Sequence, residues 1–390
     1  MFAARTDWLL TPNRLSQQIE ERRRQGLAVL DLTESNPTRC GFQAEEEILQ
    51  AFDDPRSLVY EPDPRGLLRA REAVSGYYAA RGIRVTPEQI FLTTSTSEAY
   101  SYAFRLLADP GDKVLIPQPS YPLFDFLAGL NDLEVVSYPF QYDSEWHIDP
   151  EITEKCLGSG AKAIVVVHPN NPTGSFVKSS ELASLTACCQ ENQTALIADE
   201  VFADYAFEPS DRRVSSHAAV AEVLTLTLSG LSKISALPQM KLGWMVVNGP
   251  RKLLNAALGR LEVIADTYLS VSAPLAHALP KLLERSQIVQ PKIMERLRSN
   301  LARVDEATRL CPNLSRLESE GGWYAILQVP TSISDDDWAV DLLSNEGVLV
   351  HPGHFYDFPG DGYLVISLLT GEEVLQEGMS RILAHITKSR

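Results

Sequence analysis

Between Ile90 and Asn248 the chain alternates short, almost uninterrupted apolar runs with stretches of helical periodicity, and this pattern limits the fold more than any other feature. The runs are Ile90–Thr94, Lys113–Pro117, Glu134–Tyr138, Lys162–Val167, Ala195–Ala198, Val223–Leu228 and Leu242–Asn248. A strand covered by helices on both faces has no solvent side, so it stays apolar throughout instead of alternating. Strand–helix alternation sustained over this length predicts an α/β fold, with a mostly parallel seven-stranded sheet flanked by helices.

Upstream, the pattern predicts a helix at about Arg14–Gln25, a short strand at Val29–Leu32 and a proline-bearing loop from Glu34 to Gly41. A further helix is expected over Gly66–Arg81, with Leu67, Leu68, Ala70, Ala73, Val74 and Tyr77 on one side. Downstream of Arg251 the chain is mainly helical to Leu310. Strand-like Trp323–Val329, Val348–Val350 and Tyr363–Leu368 then alternate with helices at Asp335–Asn345 and Gly371–Ser389. These segments define a smaller α+β domain, which the partnerless N-terminal helix is expected to join. The expected division is 1–50 as the N-terminal part of the small domain, 51–275 as the large domain and 276–390 as the C-terminal small domain. A chain of 390 residues is longer than one ordinary core, in keeping with about two or three domains.

Charge narrows the partners. Thirty-five Lys and Arg against 51 Asp and Glu leave a formal net charge of −16, which repels phosphate backbones, so nucleic acid is not an expected partner. No apolar run approaches the ~20 residues of a membrane helix, and Met1–Leu15 holds no apolar signal core, so no membrane association is expected. Five cysteines, an odd number without C-x-x-C spacing, point to a reduced, cytoplasmic protein. The adjacent Cys188 and Cys189 lie in a helical stretch, Glu181–Gln190, and read as small buried hydrophobes. His351 and His354 flank Pro352-Gly353 without further ligands, so no metal is expected. Arg22-Arg-Arg24 reads as the solvated face of the first helix.

Four local sequences carry chemistry. Ser229-Gly-Leu-Ser-Lys233 ends one strand, with Lys241 following in Pro238-Gln-Met-Lys-Leu-Gly-Trp244. His168-Pro-Asn-Asn171-Pro-Thr-Gly174 ends a second, and Asp199-Glu200 closes a third. Thr93-Thr-Ser-Thr-Ser97 leaves a fourth and opens a helix. All lie at C-terminal strand ends, where α/β sheets place their ligands.

In this order the motifs resemble the fold-type I pyridoxal phosphate enzymes, specifically the class I/II aminotransferase family. The resemblance extends over nearly the whole chain, through Tyr60, Gly66–Glu72, Gly111-Asp112, Pro119-Ser-Tyr-Pro122 and Gly321-Gly-Trp-Tyr324. It implies pyridoxal 5′-phosphate as cofactor and residues 51–275 as its domain. Lys233 then falls at the family's Schiff-base lysine, whose freed amine acts as general base. Asp199 falls at the carboxylate that pairs with the pyridine nitrogen, and Asn171 at the donor to the ring's O3′. Tyr121 matches the aromatic residue stacked on the ring. The resemblance places the phosphate at the helix opening near Ser97, with Ser95, Thr96, Ser229 and Lys241 as its contacts. Tyr60 resembles a tyrosine that reaches the phosphate from a neighbouring subunit, which implies a homodimer with shared sites.

Four positions depart from the family. Ser95 stands where glycine is usual, and Lys241 where arginine is usual. Phe202 replaces a tyrosine whose hydroxyl bonds O3′, with Tyr205 nearby in sequence. Val365 stands where an arginine normally clamps the substrate's α-carboxylate. Asn36 and Arg39, in Glu34-Ser-Asn-Pro-Thr-Arg39, are candidates to replace it, with Trp323 as a further substrate contact. The resemblance implies an aminotransferase acting between a small amino donor, an amino acid or related amine, and a 2-oxo acid. A pyridoxal phosphate-dependent lyase acting on a β-substituted amino acid, or a cofactor-binding protein without turnover, are the alternatives.

Overall fold

The computed structural model describes residues 1–388, so Ser389, the last residue of the expected terminal helix, lies outside the described residues. In chain order the first elements are α1 (Arg14–Arg24), β1 (Leu30–Asp31), α2 (Leu68–Ala79), β2 (Ile90–Thr93), α3 (Thr96–Leu107), β3 (Lys113–Gln118), α4 (Phe124–Leu130), β4 (Glu134–Tyr142) and β5 (Trp146–Ile148). There follow α5 (Pro150–Leu157), β6 (Ala163–Val167), α6 (Ser179–Asn192), β7 (Ala195–Asp199), β8 (Thr225–Gly230), α7 (Leu231–Ile234), β9 (Gly243–Asn248), α8 (Arg251–Asp266) and α9 (Ala273–Glu284). The last are α10 (Ser286–Arg309), β10 (Ser315–Arg316), β11 (Tyr324–Gln328), α11 (Asp335–Asp341), β12 (Val348–Leu349), β13 (His351–Pro352), β14 (Tyr363–Ser367) and α12 (Glu372–Lys388).

The large sheet runs β2-β9-β8-β7-β6-β3-β4-β5. Its centre, from β8 through β7, β6 and β3 to β4, is parallel, while β9 pairs antiparallel with both β2 and β8. All seven expected strands are there, and β5 adds an eighth, antiparallel at the edge of β4. Three residues, one of them His147, are too short a run to register as a strand by period.

The parity of the strands explains their unbroken apolar character. Val165, Ile197, Leu226 and Met245 pack under α3 and α8. Ile164, Val166, Leu196 and Ala198 pack on the other face, in a core continuous with the C-terminal segments. A third cluster joins Ile90, Leu92, Trp244 and Val246 to α2 and α9. Each fully buried aliphatic side chain contributes about 1.5–3 kcal/mol, so neither parity tolerates a polar residue cheaply.

The remaining strands form two small sheets. β1 pairs parallel with β12, tying the N-terminal segment to the C-terminal one, and β10-β11-β14-β13 form an antiparallel sheet. Helix α1 lies against α11. Arg22 is not merely solvated, because its guanidinium donates to the Ser344 and Ala28 carbonyls at 3.1 Å each. Cys188 and Cys189 lie in α6, and burial pushes the Cys189 thiol up to about 12, as for an inert hydrophobe.

Candidate active site

The C-terminal ends of the parallel strands converge on a cavity of about 360 Å³, a size suited to a small organic ligand. β7 delivers Asp199 as its last residue, and the loop after β6 delivers Asn171. β8 runs directly into α7, which carries Lys233. At that junction Gly230 passes so close to Gly243 that a Cβ would meet its Cα at 2.8 Å, and this approach lets Lys233 turn into the cavity. A second close approach fixes the Asn171 loop, since Gly174 adopts φ +70° against the Gly321 carbonyl.

The opposite wall is the turn from β2 into α3. Ser95 caps this helix, its hydroxyl accepting from the Glu98 N–H at 3.2 Å, while the Glu98 carboxylate accepts from the Thr94 N–H at 2.7 Å. Ser95 has φ −167°, an extended conformation any residue adopts, so serine fits where the family usually has glycine. Ser95, Thr96 and Ser97 line the cavity at the positive end of α3, and Lys241, held at φ +52°, lines it from the β9 side.

Electrostatics distinguish the central pair. Burial pushes Asp199 up to about 6, against the lowering effect of the Val201 N–H, the Tyr100 hydroxyl and Lys233. Burial pushes the Lys233 amine down to about 8, opposed by Asp199 and Cys40. Its Nζ lies 4.7 Å from the Trp323 ring centroid and 5.2 Å from that of Phe202. The Asn171 side-chain oxygen is buried without a hydrogen-bond partner. A hidden carboxylate, an amine of lowered basicity, an unsatisfied amide and a helix N-terminus in one cavity fit a ligand with an aldehyde, a ring nitrogen and an anionic end. Pyridoxal phosphate is such a ligand.

Not every expected residue comes to the cavity. Lys233, Asp199, Asn171, Tyr121, Ser95, Thr96 and Lys241 line it. Ser229 is buried with its hydroxyl on the Glu200 carbonyl at 3.4 Å, and Ser232 lines the cavity in its place. Tyr60 is 82% exposed and does not line the cavity. Trp323 is fully buried and lies beneath Lys233. Arg39 is an exposed side chain paired with Glu34 at 3.4 Å, and Asn36 is turned onto the Thr38 N–H and hydroxyl. From that loop only Ser35 reaches the lining. Val365 is buried in β14 between Ile326 and His351, on the face shared with Tyr324. Tyr205 does not line the cavity, and its hydroxyl donates to the Lys233 carbonyl at 2.6 Å.

Three further side chains take part, with partners that no local motif specifies. Tyr324 lines the cavity, and its motif was visible without its role. Tyr100 reaches Asp199, and its spacing of four from Thr96 was the available signal. Behind Asp199, Glu200 accepts from the Ser216 hydroxyl and the His217 N–H, both at 2.6 Å. His168 completes this buried cluster but offers a metal no lone pair. Its Nε2 bonds the Val214 carbonyl at 2.9 Å, and its Nδ1 accepts from the Val177 N–H at 3.0 Å.

Comparison with known proteins agrees with this geometry. The family pattern for aminotransferase class I and II matches residues 28–382. The glutamate-pyruvate aminotransferase of Escherichia coli (strain K12) is 29% identical over 376 residues, covering 94% of this chain and 91% of the relative. An alanine aminotransferase of Mycobacterium bovis is 27% identical, covering 92% of this chain and 85% of the relative. Among solved structures, the alanine aminotransferase from Pyrococcus furiosus superposes with a TM-score of 0.89 at 23% identity, with full coverage of both chains (100% and 100%).

Proposed function

The chain belongs to the class I and II aminotransferase family and is a pyridoxal phosphate-dependent aminotransferase, and we propose that the cavity at Lys233 is where it moves an amino group between an amino acid and a 2-oxo acid. The convergence of Lys233, Asp199 and Asn171 on one cavity carries this assignment. When bound, pyridoxal phosphate supplies an aldehyde for an incoming amine and a ring that spreads the charge left on the substrate's α-carbon.

The chain's own residues do the rest. Lys233 would hold the aldehyde carbon through its amine, and the same amine, when free, would serve as the base for the proton on the substrate's α-carbon. Its depressed pKa of about 8 leaves a fraction of the amine unprotonated near neutral pH. Asp199, as the anion, would keep the ring nitrogen protonated. Asn171 would donate to the ring hydroxyl, and Tyr121 would cover the ring. The N-terminus of α3, with Ser95, Thr96 and Lys241, would hold the phosphate. Phe202 and Tyr324 wall the cavity with aromatic surface, which would exclude water from a bound substrate.

The active unit in this proposal is a homodimer. The exposed run Leu58, Val59 and Tyr60 supports it, since a monomer gains nothing by leaving such a segment bare. Residues 51–275 serve as the cofactor domain, with 1–50 and 276–390 as the smaller one. The five free cysteines support a cytoplasmic setting.

Borohydride reduction of the yellow, cofactor-loaded protein should fix the label on the peptide containing Lys233. A label on Lys241 would overturn the site. Glutamate with pyruvate is the first pair to assay, given the names of the relatives. Release of pyruvate and ammonia from a β-substituted alanine, without amino transfer to any 2-oxo acid, would overturn the amino-transfer chemistry.

A further inference from the structure

We propose that Tyr100 is a positioning residue that locks the Asp199 carboxylate in its working orientation, and that α3 thereby sets both ends of the cofactor site. The inference rests on the assignment of Asp199 to the ring nitrogen.

The geometry is specific. The Tyr100 hydroxyl donates to Asp199 Oδ2 at 3.2 Å, and the Val201 N–H donates to Oδ1 at 3.1 Å. Each carboxylate oxygen therefore has one donor, from α3 on one side and from the turn that leaves β7 on the other, and rotation of the carboxylate forfeits one of them. Tyr100 is itself buried, its ring held edge-on by Phe124 at 5.3 Å and tilted against Phe104 at 5.8 Å. A hydroxyl so confined has no water to turn to.

Helix geometry supplies the second half of the argument. Thr96 and Tyr100 are four residues apart, so they share one face of α3, about 6 Å apart along its axis. One rigid helix thus presents its N-terminus to the phosphate end of the cavity and, a turn later, a hydroxyl to the carboxylate at the base. The other groups facing Asp199 are Lys233 from α7, which attracts the anion, and Glu200 next to it, which repels it. Tyr121 lies close enough to feel its charge, and Tyr138 stands beyond Tyr100. None of these three, Glu200, Tyr121 or Tyr138, is hydrogen-bonded to the carboxylate among the described residues.

A carboxylate deprived of one donor becomes more basic and turns more freely. It then competes with the ring nitrogen for the proton that amino transfer needs. The test is Tyr100→Phe, which keeps the ring and its packing and removes only the hydroxyl. In the cofactor-free full chain, infrared titration of the Asp199 carboxyl, identified by difference against Asp199→Asn, should move up by about one pH unit. In the loaded enzyme kcat should fall about tenfold while KM for the amino donor changes less than about threefold. In the Asp199→Asn background Tyr100→Phe should have no further effect, because its action passes through the carboxylate.

An unchanged Asp199 titration would overturn the proposal, and so would an equal loss of activity in both backgrounds. Failure of the underlying assignment looks different. There, Asp199→Asn alone would retain full turnover and cofactor affinity while the titration shift with Tyr100→Phe persisted.

Discussion

Replacing Lys233 with methionine should stabilise the cofactor-free protein even as it abolishes turnover. The amine is held in a cavity wall between the rings of Trp323 and Phe202, at 4.7 and 5.2 Å, and burial lowers its pKa from 10.5 to about 8. That difference corresponds to about 3 kcal/mol, at about 1.4 kcal/mol per unit, of unfavourable burial of the charged form. The side chain still meets the cavity, where solvent softens the penalty, so about 2 kcal/mol is the expected gain near pH 7. Methionine is of similar length, apolar, and favourable against aromatic rings. The pH dependence gives the reasoning its sign. With the folded pKa depressed, the penalty is complete below about 8 and disappears as pH rises from there to 10.5, where the unfolded lysine also loses its proton. Urea unfolding followed by tryptophan fluorescence at pH 7 and pH ~9.5 measures the gap between the two proteins. The gap should shrink at the higher pH. A variant no more stable than wild type at pH 7, or a gap that does not change with pH, would refute the picture of a strained, buried amine.

Two further outcomes test positions where the chain departs from its family. Phe202→Tyr restores a hydroxyl in the cavity wall that Tyr205, spent on the Lys233 carbonyl, does not replace. In the cofactor-loaded variant the visible absorbance should change with pH at a lower value than in wild type, because a donor beside the ring oxygen weakens the hold on the proton near the Lys233 nitrogen. Identical titrations would show that another donor already fills the place. Val365→Arg should lower KM for amino acid donors at least about tenfold, using ~1.5–3 kcal/mol for each charged hydrogen bond, at a cost of about 1–3 kcal/mol in stability from overpacking between Ile326 and His351. A folded variant with unchanged KM would show that this face of β14 does not meet the substrate's carboxylate.

Much of this protein can be read along the chain, and the readable part has a physical character. Unbroken apolar runs such as Ala163–Val167 announce a strand covered on both faces, because burial on both sides leaves no parity for polar residues. Lys233, Asp199, Asn171 and Thr96 were legible for a related reason. Each sits at a strand end or helix start that local residue order defines, and α/β geometry brings such ends to one edge. Side-chain partnership across the fold is different, because it depends on distances between segments far apart in sequence. Nothing local says that Tyr205, three residues beyond Phe202, turns its hydroxyl to the Lys233 carbonyl and away from the cavity. Nothing in Glu34–Arg39 says that Arg39 faces solvent and pairs with Glu34 while Ser35 takes the place in the lining. Tyr100 and Asp199 are 99 positions apart, and their contact exists only because α3 packs over β7. Which groups arrive at the cavity can be read along the chain, since that follows from strand order and element ends. Which of them meet is settled in three dimensions, because hydrogen bonds depend on tenths of an ångström that packing alone sets.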